Sequence, residues 1–203
     1  MIWLLGKIPK ECYVACSGGV DSMAALSFIL NNPTNKVEVI FFNHNTPTSN
    51  KAEAFLRHFC EKTGLTLHIG HLDVEKPPGC STEDFWREQR YKYFSNFKDK
   101  PIITAHHLDD VVEFYVFSSI NGQVKITPYE RENVIRPFLL TKKEELVDWC
   151  KRKKVPWIED ETNKDNNHPR NRIRNVILPE IKKINPGIQK VVAKKIKNKY
   201  NVL

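Results

Sequence analysis

The sequence contains no C-x-x-C pair. Its five cysteines stand at positions 12, 16, 60, 80 and 150. That odd number, at those spacings, argues against a disulfide framework and against a zinc or iron–sulfur site. Cys12 and Cys16, four apart in an apolar run, read as core residues sharing one face of a strand. Long apolar stretches are also missing. None approaches the roughly 20 residues needed to cross a bilayer, so no membrane partner is expected. The opening Met1-Ile2-Trp3-Leu4-Leu5 is apolar but short, without the basic start of a signal peptide, and the cytoplasm is the expected location. Acid is the scarcer charge, with 32 lysines and arginines against 24 acids and a formal net charge of +8. From Glu180 onward seven lysines accompany a single acid. Such a tail suits a polyanion such as RNA, and it equally suits a solvated lysine face. No internal repeat is visible, nor any low-complexity segment outside that tail. A chain of 203 residues, 40% hydrophobic and 28% charged, suits one domain of ordinary size with an appendage.

What the sequence does have is concentrated near its start. Cys12-Tyr13-Val14-Ala15-Cys16 reads as a buried strand, and Ser17-Gly18-Gly19-Val20-Asp21-Ser22 follows it directly. Met23-Ala24-Ala25-Leu26 then begins a helix. Two glycines at a strand-to-helix turn let the backbone approach a ligand closely. The amides and hydroxyls there, with the positive end of the helix, form a nest for phosphate oxygens. No Gly-Lys-Ser/Thr follows, so this is not the Walker pattern. Asp21 would repel a phosphate unless a divalent cation lay between them, an arrangement that Mg²⁺ favours. The simpler alternative is a glycine turn with serine as helix cap.

Strand and helix signals alternate beyond this turn. Strands are expected at 36–42, 65–69, 101–105 and 133–135. Helices are expected at 50–62, closed by Gly64, at 82–96 behind Ser81 and Asp84, and at 108–119. Another runs from a Thr141 cap, with Glu144 three residues on, to about Lys153. This β-α repetition implies an α/β fold: a parallel five-stranded sheet with helices on both faces, and a small helical C-terminal extension. In the extension Pro186 is expected at the first helical position. Ile188, Val191, Val192 and Ile196 form an apolar stripe that docks on the body and leaves the lysines outside. The expected division is a nucleotide-binding domain over residues 1–180 and a basic helical tail over 181–203.

Ligands in such sheets bind beyond the carboxyl ends of the strands. The six-residue turn, Asn43-His44 and His106-His107 all follow strands and should meet there. His106-His107-Leu108-Asp109-Asp110-Val111-Val112-Glu113 crowds three acids, with Asp109 and Glu113 one turn apart and His106 near Asp110. The acids call for a cation, either Mg²⁺ or an ammonium group, and His106 suits proton transfer. Aspartates that merely favour a helix N-terminus are the alternative. Asp160-Glu161-Thr162-Asn163 precedes Arg170-Asn171-Arg172-Ile173-Arg174, whose guanidiniums can neutralise triphosphate or RNA or lie on a charged surface loop. Glu83, Arg87, Arg90 and Tyr91 share a helix, where salt bridging and substrate binding are both open.

Taken in order, these pieces resemble the N-terminal domain of the tRNA(Ile)-lysidine synthetases, within the PP-loop ATP pyrophosphatases. The likeness runs from residue 12 to about 180. It includes Arg136-Pro137-Phe138-Leu139, Trp157 and Leu178-Pro179. The resemblance implies ATP and Mg²⁺ as cofactors, with tRNA(Ile) bearing a CAU anticodon and free lysine as substrates. ATP would adenylate O2 of the wobble cytidine, and the lysine amine would attack C2 and expel AMP. Ser17, Gly18, Gly19, Val20, Asp21, Ser22, Asn43 and His44 would then hold the nucleotide, and Asp21 the metal. His106, Asp110, Glu113, Arg170 and Arg174 would be catalytic. Arg87, Arg90, Asp109 and Asn171 would bind substrate. Where the family continues Gln-x-Glu-Thr after the aspartates, this chain has Val111-Val112-Glu113-Phe114. Ser119-Ile120-Asn121-Gly122-Gln123 replaces an Arg-Gly-rich loop. With only a basic tail in place of further C-terminal domains, tRNA recognition is expected to be leaner, borrowed from a partner or changed. A cytidine-thiolating PP-loop enzyme and a non-catalytic RNA-binding module are the other readings.

Overall fold

A computed structural model describes residues 1–159 and 169–202; the expected Asp160-Glu161-Thr162-Asn163 motif lies outside the described residues. One sheet has the order β3-β2-β1-β4-β6-β5. Its strands are β1 (Glu11–Ala15), β2 (Lys36–Asn43), β3 (Leu67–His71), β4 (Ile102–Thr104), β5 (Glu130–Arg131) and β6 (Val134–Ile135). All pairings are parallel except that of β5 with β6. The five expected strands are therefore the parallel ones. The sixth, β5, is a two-residue edge piece turned back on β6 through Glu132 at φ 56°. Two residues are too few to show a strand's alternation.

β1 is central, with Val14 opposite Val39 on one side and Ile103 on the other. Its side chains alternate between two cores. Cys12 and Val14 meet one face, covered by α1 (Val20–Leu30), α2 (Pro47–Thr63) and α5 (Lys143–Lys153) through Met23, Leu26, Leu56 and Leu146. Tyr13 meets the other, where α3 (Thr82–Phe94) adds Tyr91 and Phe94 to Ile40, Ile102 and Val134. Truncating a fully buried leucine such as Leu56 to alanine in a core of this kind costs about 2–5 kcal/mol.

A further core forms around α4 (Leu108–Ile120). Its Val111, Val112 and Val116 pack with Val192 and Ile196 of α8 (Ile188–Tyr200), and with Ile173 and Leu178. α6 (Pro169–Arg172) runs through a π-turn, Ile173–Ile177, into α7 (Leu178–Ile184). Pro179 brings no N–H to the helical ladder. Just before it the Leu178 amide reaches back five residues to the Ile173 carbonyl.

Three local expectations shift by about one residue. Lys142, not Thr141, precedes α5, and Glu145, not Glu144, accepts its amide at 2.8 Å. Thr141 is buried and ties down the N-terminal arm, donating to the Trp3 carbonyl (2.6 Å) and accepting the Trp3 amide (3.1 Å). Pro186 lies ahead of α8, whose N-cap is Gly187. Val191 is exposed while Val192 is buried, because one residue turns a helix by about 100°. Gly64 closes α2 at φ 72° as the sequence implies.

The strand order reverses between β1 and β4. The loops that follow these two strands diverge and leave a crevice at the carboxyl edge.

Tyr93 lies flat on β3, where a Cβ on Gly70 would stand 2.6 Å from its ring. Gly70→Ala is expected to lower stability by about 1–3 kcal/mol through overpacking, as read by urea unfolding. Unchanged stability would show that the ring gives way freely.

Candidate active site

The phosphate-type turn is built by its own side chains. Ser22 is buried, its hydroxyl donating to the Gly19 carbonyl (2.9 Å) and accepting the Ser17 amide (3.1 Å). Gly18 sits at φ 78°, where a Cβ would also meet Ile158 and Phe55 at 3.2–3.3 Å. Ile158 donates its amide to the Gly18 carbonyl (2.9 Å), so the segment after α5 straps the turn. Gly19 is the N-cap of α1, and no side chain among the described residues caps that helix. The first amides of α1, from Val20 to Ser22, therefore keep their donor character at the positive end of the helix. Ser17 is exposed beside them.

Asp21 projects from the first turn of α1 towards α4 and α5. Its Oδ2 lies 3.5 Å from His107 Nε2 and 3.6 Å from Lys143 Nζ. Burial works to raise this carboxyl, but His107 and Lys143 outweigh it and hold it below the ordinary value. Its Oδ1 is buried without a partner among the described residues. An orphan carboxylate oxygen beside uncapped helix amides fits a Mg²⁺–phosphate pair.

His107 is the N-cap of α4. Its Nδ1 accepts the Asp110 amide (3.3 Å), while Asp110 Oδ2 accepts the His107 amide (3.0 Å). This is a capping box with imidazole in the place usually taken by serine or threonine. Burial opposes charge on His107, yet Asp110, Asp21 and Asp109 together raise its pKa. Asp110 Oδ1 and Glu113 Oε2 converge on Arg174 Nη2, at 3.4 and 2.7 Å. Burial pushes the Glu113 carboxyl up and Asp110 adds to this, against the pull of Arg174.

Asp109 faces elsewhere. Its Oδ2 accepts the Lys143 amide of α5 (2.8 Å) and its Oδ1 the Gln189 side chain of α8 (2.7 Å). The residue expected at the substrate thus ties three helices together and does not join Glu113. His106 also departs from its expected place. Because α4 begins at Leu108, His106 stays in the preceding loop and bonds Thr104 through Nδ1 (2.8 Å). Burial, with Arg136, Arg90 and Arg87 around it, pushes its pKa down to about 3. A neutral imidazole among guanidiniums is a weak base, and the group with the raised carboxyl is Glu113.

The crevice therefore has two sides. Asp21, Asp110 and Glu113 form the acidic one. The basic one gathers Arg87, Arg90 and Arg136, with Arg170 paired to Glu83 at 2.9 Å. Burial lowers the pKa of both Arg87 and Arg90, with neighbouring guanidiniums adding to the effect. Arg136 is almost wholly buried, donating to the Pro128 carbonyl (2.8 Å) and the Tyr91 hydroxyl (2.7 Å). Arg87 and Arg131 stand 5.3 and 4.5 Å from the Tyr91 ring centre. Asn171 lies on α6.

Asn43 and His44 follow β2 at the same edge. Asn43 is engaged within the protein, donating to Glu53 (2.7 Å) and Asn50 (3.0 Å) and accepting from Ser49 (2.6 Å) and the Asn45 amide (2.7 Å). His44 stacks on Trp86 at 5.0 Å. Burial and Arg90 push its pKa down to about 4. Sequence reasoning placed His107 at this edge but gave it no role, and it missed Lys143. The spacing of His107 to Asp110 is that of a capping box and could have marked the former. No local signal marks Lys143, which reaches Asp21 only through the packing of α5 on α1.

A phosphate-type turn at the switch point of a parallel sheet, with carboxylates facing it, defines a nucleotide-binding α/β domain. The chain belongs to the PP-loop domain family, whose model matches residues 6–181. Over 192 residues it is 33% identical to the tRNA(Ile)-lysidine synthase of Staphylococcus aureus (strain COL), covering 86% of this chain and 44% of that one. The synthases of Thermotoga maritima (31%, 90% and 48% covered) and Enterococcus faecalis (34%, 92% and 46%) are similar. The chain thus spans less than half the length of these relatives. Among solved structures it resembles the U34-tRNA thiolase NcsA from Methanococcus maripaludis with its [4Fe-4S] cluster. The TM-score is 0.71 at 17% identity, covering 95% of this chain and 72% of that one. At that identity the likeness is one of fold.

The Asp21–His107 pair gives a pH test. The raised pKa of His107 makes its contribution full below about 6.5 and lost as pH rises through the folded value. The lowered pKa of Asp21 makes its contribution full above about 3.8 and lost as pH falls through the folded value. Asp21→Asn is expected to lower the His107 pKa, read by NMR titration of the imidazole. An unmoved value would mean that the two groups do not interact.

Proposed function

We propose that this chain carries an ATP-dependent ligase activity that joins free lysine to the wobble cytidine of tRNA(Ile), through an adenylated cytidine. PP-loop membership supports ATP as the nucleotide, and the names of the 31–34% identical relatives support tRNA as the partner. The observation that carries the reading is the meeting of the Gly18–Gly19 turn with the half-buried Asp110 and the buried Glu113 at one edge of the sheet. There a phosphoanhydride and a cationic nucleophile can be held side by side.

In this scheme the amides from Val20 to Ser22 and the Ser17 hydroxyl bind the pyrophosphate part of ATP. Asp21 would hold Mg²⁺, which would supply charge neutralisation at the phosphates. Cytidine O2 attacks the α-phosphorus, and pyrophosphate leaves. The lysine amine then bonds to C2 while the C2–O2 bond breaks and AMP departs with O2. The amine must lose a proton to attack. Glu113, with its raised carboxyl, takes that proton, and Asp110 holds the ammonium beforehand. Arg174 orients both carboxylates. Arg87, Arg90 and Arg170 offer charge to the RNA or to the developing phosphate.

Thiolation is the alternative that the fold likeness brings up. Cys12, Cys16, Cys60 and Cys150 are buried in the core beneath α1, α2 and α5. Burial pushes Cys12, Cys60 and Cys150 up to about 11. Such thiols are poor nucleophiles, which leaves the exposed Cys80 alone for sulfur chemistry and favours ligation.

Incubation with ATP, Mg²⁺, labelled lysine and a tRNA(Ile) CAU transcript is expected to place the label in the RNA. Glu113→Gln should cut lysine incorporation by about 10²–10⁴-fold while pyrophosphate release on adenylation persists. Folded protein that yields no labelled RNA, or that transfers sulfur in its place, would overturn the reading.

A further inference from the structure

Helix α8 carries a second feature that the acidic and basic sides of the crevice leave unused. From Ile181 to Leu203 the chain contains no acid. Within α8, Val192 and Ile196 are fully buried against α4 and its neighbours. Lys190, Lys194 and Lys197 stand at i, i+4 and i+7, and so form one stripe on the side turned away from those two residues. Lys190 and Lys194 are exposed and Lys197 is half exposed. Lys195 and Lys199 lie on the other side of the helix, their ammonium groups 5.9 Å from the Tyr115 ring centre and 5.5 Å from that of Tyr200.

Both ends of the helix are held. Near its start Gln189 donates to Asp109 (2.7 Å), next to Asp110 in the sequence. At its end the Tyr200 hydroxyl accepts the Tyr129 amide (2.7 Å). The eleven residue steps from one anchor to the other rise about 16 Å. The lysine stripe thus runs as a rigid rod from beside Asp109 to the segment that carries Tyr129.

We propose that α8 is a backbone-tracking surface for RNA, guiding the strand that delivers its base to the crevice. This rests on the reading above, in that it assumes an RNA substrate. Lysines one turn apart on a fixed helix suit phosphates, which carry the sequence-independent part of RNA affinity. A basic amphipathic helix can alternatively lie on a membrane. That mode needs its apolar face free, and here Val192 and Ile196 are committed to α4. The charge pattern and the occupied apolar face together favour nucleic acid.

The test compares the full chain with Lys190→Gln/Lys194→Gln/Lys197→Gln. A control variant changes Lys10, Lys62 and Lys151, three exposed lysines at the opposite edge of the sheet. Affinity for a tRNA(Ile) transcript and for an unrelated RNA of equal length is measured by anisotropy across a salt series. The α8 variant should reduce the slope of log K against log salt by about 2–3 on both RNAs, with ATP-dependent pyrophosphate release at saturating RNA retained. The control should leave the slope unchanged. An unaltered slope in the α8 variant, with lysine transfer intact, would overturn the tracking surface and leave the ligase reading standing. A reduced slope in a protein that never transfers lysine would uphold the surface and count against the ligase. Binding of the unmodified chain to anionic vesicles but to neither RNA would overturn the surface in favour of lipid.

Discussion

Carboxylates crowded at one edge of a sheet must find cations, and this requirement organises the molecule. Asp21, Asp110 and Glu113 come from α1 and α4. Their partners come from the start of α4 (His107), from α5 (Lys143) and from the π-turn after α6 (Arg174). Asp109 extends the same logic to α5 and α8 through hydrogen bonds. The N-terminus of α4 is consequently the point where most of the later chain is tied to the Gly18–Gly19 turn. Charges this close, partly withdrawn from water, shift one another's titration. The structure accordingly holds Asp21 low and His107 high.

Charge of the other sign collects on the opposite wall. Arg87 and Arg90 share one turn of α3, Arg136 follows β6, and Arg170 arrives from α6. Part of that charge is absorbed by the Tyr91 ring and hydroxyl and by Glu83. Burial, with the surplus adding to it, pushes the pKa of His44 and His106 down. A crevice with one acidic and one basic wall can hold a cation and an anion side by side. Neither wall alone could do this, because like charges would exclude one of the two partners.

Much of this was legible from short-range pattern. The Ser17–Ser22 string, the alternation of apolar runs and helical stripes, and the Gly64 stop all reflect rules that act over a few residues. Boundaries slipped where a residue was claimed by something distant. Thr141 looked like a cap but serves the Trp3 backbone, and Lys142 took its place. Val191 looked like core but faces outward. β5 is too short to announce itself. Within the site, Asp110 and Glu113 meet on Arg174, which its motif assigned to the phosphates or the RNA. His106 and Asp109 were drawn elsewhere, because a helix that starts at Leu108 leaves His106 in the loop before it and turns Asp109 towards α5 and α8.

The sequence alone determined the class of fold, the phosphate-type turn and the presence of acids and guanidiniums, since each is written in neighbouring residues whose spacing has direct geometric meaning. Tertiary structure alone decided which of two adjacent histidines meets the acids, that Lys143 faces Asp21, and that α8 starts beside Asp109. These relations join residues from tens of positions to well over a hundred apart, through helix packing over the sheet. The direction of a side chain across such a gap depends on where the intervening backbone ends, and no local period records that.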